Sequence, residues 1–248
     1  MEILAIAAVA ILVGTILQRV SGAGVGLVVA PTLTLLMGPA NGVLLTNGVT
    51  IMSGLLIMLA IRRDVDWRKA ALIIPAAAVG VIPGALLVRE LPPGWLQITI
   101  GLVVLLALAT TFGLPRLPHV RSQGGAVVAG AVGGLFNATA GISAPVMVIH
   151  AKLSRWEQKP FQATLQPIFM AMGILSVIAK TAFGSFHLAT LPPWWMLPVV
   201  VGVVLAGIGI GTVLTRWVPP ARARVLAITL AGVGGVLTLV RGVLALQG

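Results

Sequence analysis

A chain of 248 residues that is 58% hydrophobic and 8% charged, with mean hydropathy +1.11, lies far from soluble domains, in which about a quarter of residues are charged. The formal charge of +11 does not indicate a nucleic-acid binder, because the basic residues fall between apolar segments and no aromatic-interleaved patch gathers them. With no cysteine and with His119, His150 and His187 far apart, thiolate chemistry is excluded, and neither a metal site nor another cofactor is expected.

Crossing a bilayer takes about 20 helical residues, and ten apolar segments can be read in chain order. The first two, 3–18 and 23–37, are short and separated by QRVSGAGVG, so each barely crosses or the pair forms a helix-break-helix hairpin. Residues 3–18 read as structure rather than a cleaved leader, since apolar segments follow to the end of the chain. Segment three, 41–61, carries Thr46, Asn47, Thr50 and Ser53. Segments four and five, 70–88 and 95–114, flank LVRELPP. Segments six and seven, 123–136 and 139–151, are again short and enclose LFNATAGISAP. Segment eight, 160–180, carries Gln162, Thr164 and Gln166. Segments nine and ten cover 194–215 and 223–246. The tryptophans 67, 95, 156, 194, 195 and 217 fall at segment ends, as an interfacial belt predicts.

Alternate connections hold most of the positive charge: Arg19; Arg62, Arg63, Arg68 and Lys69; Arg116 and Arg121; Lys152, Arg155 and Lys159; Arg216, Arg222 and Arg224. Arg89, Lys180 and Arg241 remain for the other side. The positive-inside rule then places the first set in the cytoplasm and both termini outside.

LVRELPP, Leu87 to Pro93, recurs as LTRWVPP, Leu214 to Pro220, and Gly80 and Gly84 recur as Gly207 and Gly211. A duplication of five segments inverts the second copy. The expected fold is an all-α polytopic membrane protein with 8–10 membrane segments in two inverted repeats. Residues 1–114 form one repeat, 115–122 a cytoplasmic linker and 123–248 the other, and each repeat opens with a broken or re-entrant Gly-rich helix pair. At the 80/84 and 207/211 pairs, close helix packing is the favoured role of the glycines.

A helix broken at membrane depth exposes backbone N–H groups and a positive dipole end, which together accept an anion without side-chain charge. Gly22, Gly24, Gly26 and Gly141 would allow close backbone approach, and Ser21, Asn137, Thr139 and Ser143 would add neutral hydrogen bonds. Asn47 with Thr50, and Gln162 with Gln166, are candidate pathway walls, weighed evenly against a role in bundle packing. Arg19 either lies deep beside the first break or reaches the cytoplasmic face. Lys180 is expected at the outer interface, with attraction of substrate as the alternative. His150 is the candidate for proton coupling, against an interfacial structural role, which is the favoured one. All five acids, Glu2, Asp64, Asp66, Glu90 and Glu157, fall at segment ends or in loops, which favours an anionic substrate over cation coordination.

The duplicated halves, each opening on a Gly-rich, Pro-terminated motif, SGAGVGLVVAP (Ser21 to Pro31) and GLFNATAGISAP (Gly134 to Pro145), resemble the TauE/SafE sulfite exporter family across essentially the whole chain. The second motif departs from the family's usual Gly-Gly-Pro-like ending at Ile142, Ser143, Ala144 and Pro145. The resemblance implies a permease of sulfite, thiosulfate or an organosulfonate in a bacterial or archaeal inner membrane. The expected partners are a small anion and the lipid bilayer, with a monomer and a homodimer both open. The competing readings are an anion channel or membrane subunit of a transport complex, a carrier of small carboxylates, and an intramembrane hydrolase using Ser21 and His150, against which the missing Gly-x-Ser-x-Gly pattern counts.

Overall fold

The computed structural model of the protein describes residues 2–112, 122–185 and 196–247. Among these, ten α-helices follow one another without a strand: α1 Glu2–Ser21, α2 Val25–Met37, α3 Pro39–Ile61, α4 Trp67–Glu90, α5 Pro93–Phe112, α6 Gln123–Ala140, α7 Ala144–Ser154, α8 Gln158–Ala182, α9 Met196–Leu214 and α10 Pro220–Leu244. Six of them (α1, α3, α4, α8, α9 and α10) are long and apolar enough to cross a membrane. The expected linker 115–122, apart from Ser122, lies outside the described residues, as do Arg116, Arg121, His119, His187, Trp194 and Trp195.

Each apolar segment of the sequence is a helix over its described residues, and the boundaries at the two Gly-rich motifs move. Segment one does not stop at residue 18: α1 runs on through Gln18, Arg19 and Ser21, because a helix satisfies its own backbone whatever the side chains, and the polar ones find partners inside the protein. Segment seven does not start at residue 139, since Thr139 and Ala140 complete α6 and the chain breaks only at Gly141. Each opening pair is therefore one long helix followed by a short one, 20 and 13 residues in α1–α2 and 18 and 11 in α6–α7.

Both pairs are hairpins. Gly14 of α1 lies against Val25 and Val29 of α2, and Ala7, Ile11, Val25, Val29 and Leu33 share one buried cluster, so α2 folds back along α1. In the second pair Gly133 faces Met147, and Gly125 faces His150. A helix returning after 11 to 13 residues rises only about 17 to 20 Å, short of a bilayer core of about 30 Å. Neither α2 nor α7 is long enough to cross a core of that thickness by itself.

Helix packing repeats between the halves. The α4 helix packs on α6 and α9 on α1, α10 packs on α2 and α5 on α7, while α3 pairs with α8 and α5 with α10. Replacing every helix by its counterpart five helices away reproduces these six pairs, whereas the contact of α2 with α3 has no counterpart of similar extent between α7 and α8. Around this core, α4, α9 and α10 expose Val79, Ile82, Leu205, Ile210, Val233 and Leu237, the side chains a lipid-facing surface requires.

Glycine sets how closely the layers approach. A Cβ on Gly80 would fall onto the Ala131 carbonyl, one on Gly134 onto the Ala77 carbonyl, and one on Gly130 would lie 2.5 Å from the Ile73 carbonyl oxygen, so α4 and α6 meet backbone to backbone. In the other half Gly207 and Gly211 of α9 instead meet side-chain carbons of Thr15 and Arg19 at 2.8 Å. Both glycine pairs serve packing.

Candidate functional site

The hairpin tips are built alike. Helix α1 ends in Gly22 at φ +86° and α6 in Gly141 at φ +71°, left-handed conformations that only glycine adopts without strain. Three residues later the second helices begin, at Val25 and Ala144, and neither the N-cap Gly24 nor the N-cap Ser143 supplies a side-chain cap bond. Two uncapped helix N-termini, each with unpaired backbone N–H groups and a positive dipole end, thus arise where the sequence places its glycines.

The tips touch. A Cβ on Gly26 would lie 2.5 Å from the carbonyl oxygen of Gly141. Between them opens a cleft of about 280 Å³, counted to its open mouth, into which Gln18, Gly24, Gly26, Asn137, Gly141 and Ser143 face, with Thr50 of α3 and Phe169 of α8 on its walls. Both helix starts therefore face one narrow, partly open space, in which this structure leaves room for about one water molecule.

A buried polar frame holds the tips. The Gln18 amide donates to Gln166 Oε1 at 2.9 Å, and Gln166 donates to the Gly22 carbonyl at 3.1 Å and to the Gln162 carbonyl at 3.0 Å. Gln162 donates to the Val20 carbonyl at 3.1 Å. The α8 side chains thus take up carbonyls at the end of α1 that helix geometry leaves free. At the second tip Asn137 donates to Asn47 Oδ1 at 3.0 Å, and Asn47 donates to Ser176 Oγ at 2.8 Å. The two long-range bonds correspond: Gln18 and Asn137, and Asn47 and Gln166, are each 119 positions apart, as are Gly22 and Gly141, Gly24 and Ser143, and Thr50 and Phe169. Of these, Gln18 and Phe169 were missed from sequence, whereas Thr50 was read as a wall beside Asn47. The 119-residue register would have found them, but the LVRELPP repeat has an offset of 127 and hides it. The eight-residue difference falls in the connection from α8 to α9, 183–195, against 62–66 from α3 to α4.

The structure gathers the expected site residues unevenly. Gly24, Gly26, Asn137, Gly141 and Ser143 line the cleft. Gly22, Asn47, Gln162 and Gln166 form its frame. Ser21 Oγ donates to the Leu17 and Ala23 carbonyls, both at 2.8 Å, and closes the first turn; it makes no bond to His150, so the pair the hydrolase reading needs is not assembled. Thr139 is spent on the Leu135 carbonyl of its own helix. Arg19 is outside the cleft, its Nε donating to Thr212 Oγ1 at 3.0 Å. His150 is off the site on α7, edge-on to Trp156, whose other face packs toward Phe161 beneath Lys69. Trp156 therefore turns inward, whereas Trp67, Trp95 and Trp217 stay exposed.

Among the described residues, no charged side chain lines the cleft. Arg224 reaches the first tip, where a guanidinium nitrogen donates to the Ser21 carbonyl at 3.4 Å. Lys180, expected at the outer interface, is instead buried, at 1% exposure, because its buried face on α8 continues that of Gln166 and Ser176. Of the acids, Asp64, Asp66 and Glu90 pair with Lys159, Lys69 and Arg89 near helix ends.

An all-helical, multi-pass membrane protein with two broken helices facing one cleft is the architecture of a transporter rather than an enzyme. The family model described as Sulfite exporter TauE/SafE matches residues 6–238, and the chain belongs to that family. It is similar to the "Probable inner membrane transporter protein TsaS" of Comamonas testosteroni, at 26% identity over 219 residues, covering 82% of this chain and 89% of the relative. No solved structure matches the chain. The protein is a membrane transporter.

Proposed function

We propose that the protein is a secondary carrier of a small sulfur oxyanion or organosulfonate, bound between the hairpin tips and released to either side as the two halves rock about it. One observation carries this reading: two uncapped helix N-termini from opposite halves open on the same cleft, inside a buried frame that repeats at 119 positions. Oriented N–H groups and dipole ends stabilise an anion in a space without cations, and weakly enough to let it leave.

Residues 1–114 and 123–248 act as inverted repeats joined by a cytoplasmic linker. The interchange of packing pairs and the excess of basic residues in alternate connections support this, as they support an inner-membrane protein with both termini outside. The family's description, and the presence of acids only at helix ends, favour a sulfur anion over a cation or a neutral solute.

The thermal stability of purified protein with sulfite, thiosulfate, sulfoacetate or acetate, at matched ionic strength, tests the substrate class. Ligand present at 100 times its Kd stabilises by about 2.7 kcal/mol. At least one sulfur anion is expected to raise Tm well above acetate, with apparent affinity at least tenfold weaker in Asn137→Ala and Gln166→Ala. Acetate matching or exceeding every sulfur anion would transfer the reading to a carboxylate carrier.

A further inference from the structure

Among the described residues, Lys180 is the one Lys, Arg, Asp or Glu that is fully buried, and the cleft does not explain its burial. It lies on α8 at 1% exposure, and its Nζ has no hydrogen-bond partner among the described residues. Helices α3, α6 and α8 contain no carboxylate, and the only one on α4, Glu90, is exposed and paired with Arg89. A buried ammonium without a counter-charge is among the costliest arrangements a protein core can hold. An anion that visits relieves it.

Its place in the fold agrees. Ser176, one turn earlier on the same face of α8, accepts from Asn47, which accepts from Asn137 in the cleft wall. Farther along, Ser185 donates to the Ala85 carbonyl of α4, and Gly84 of α4 packs on Ala138 of α6, next to the second tip. Lys180 therefore sits on the second tip's side of the molecule, about 21 Å along the α8 axis from Gln166 at 1.5 Å per residue. The first tip's side has its own cation, Arg224, on the Ser21 carbonyl. The repeat does not generate this pair: the counterpart of Lys180 at 119 positions is Ile61, and that of Arg224 at 127 positions is Gln97.

We propose that Lys180 forms a second, charged station for the transported oxyanion, on the α3–α4–α8 side of the cleft, and that it serves exchange with one face of the membrane only. This rests on the cleft being the anion's central site. The ammonium draws a doubly or singly charged oxyanion out of water, and the neutral cradle of helix ends then takes it on toward Arg224.

Counterflow of sulfite in proteoliposomes of fixed orientation tests this, with half-saturation measured separately from each face for the unaltered protein, Lys180→Gln and Lys180→Met. Both variants remove an unpaired buried charge, so the thermal midpoint is expected to stay level or rise. The half-saturating sulfite concentration at one face is expected to increase at least tenfold, with the other face within twofold. Equal change at both faces, or none, overturns the proposal. Should Lys180→Gln not reconstitute, Lys180→Met carries the same comparison, and loss of folding in both overturns it as well, since Lys180 is then structural. Absence of sulfite counterflow in the unaltered protein would instead sink the reading of the cleft, whatever the variants do.

Discussion

At the residue scale, the tips depend on what replaces a helix's missing bonds. Gln166 serves two carbonyls and Gln18 at once, and Asn47 links Asn137 to Ser176. A double-mutant cycle on Gln18→Ala and Gln166→Ala, read by reversible unfolding in detergent, should give a coupling of about 0.6–1.7 kcal/mol, and the Asn47/Asn137 cycle a similar value. The cross-pair Gln18/Asn47, which shares no hydrogen bond, should add to within about 0.5 kcal/mol. Glycine makes a second prediction. Gly22 and Gly38 both have φ near +85°, but a Cβ on Gly22 meets Gln162 at 2.8 Å while Gly38 opens on empty space. Gly38→Ala should cost about 1 kcal/mol, and Gly22→Ala about 2–3 kcal/mol by the same unfolding measurement. Equal costs would mean that Gln162 does not hold the tip.

At the scale of elements, the sequence made the helices plain and hid how they meet. Ten apolar runs correspond to ten helices because apolar length is what lipid demands. The ends failed where polar residues sat inside a helix: Arg19 and Ser21 looked like loop, yet each has a partner inside the protein. Asn47 and Gln166 were visible as polar residues in apolar runs. That they bond to the tips was not, since bonds spanning 90 and 148 positions leave no local pattern. Lys180 misled for the converse reason: a lysine at the end of an apolar run ordinarily reaches water, and only three-dimensional packing decides otherwise. The glycine pairs gave correct packing positions but not their severity. Because Gly80 meets a carbonyl and Gly211 meets side-chain carbons, Gly80→Ala should destabilise by about 2–3 kcal/mol and Gly211→Ala by about 1 kcal/mol. Thermal melts of the two variants compare them directly, and the reverse order would contradict the backbone contact between α4 and α6.

At the scale of the whole molecule, the halves contribute corresponding parts to one cleft: a left-handed glycine, an uncapped helix start and a carboxamide from each. Such a site has no intrinsic preference for one membrane face, which is what a carrier needs at its centre, and the cations that break the correspondence, Arg224 and Lys180, lie to either side of it. A channel would need a continuous wet path, whereas the cleft is bounded by the frame bonds at both tips. The distinguishing measurement is isotope counterflow in proteoliposomes preloaded with unlabelled sulfite. A carrier accumulates labelled sulfite transiently against its gradient, at a rate cut at least tenfold in Gln166→Ala and Asn137→Ala. Uptake that never exceeds equilibrium, accompanied by an uncoupled sulfite conductance, would contradict alternating access about the cleft.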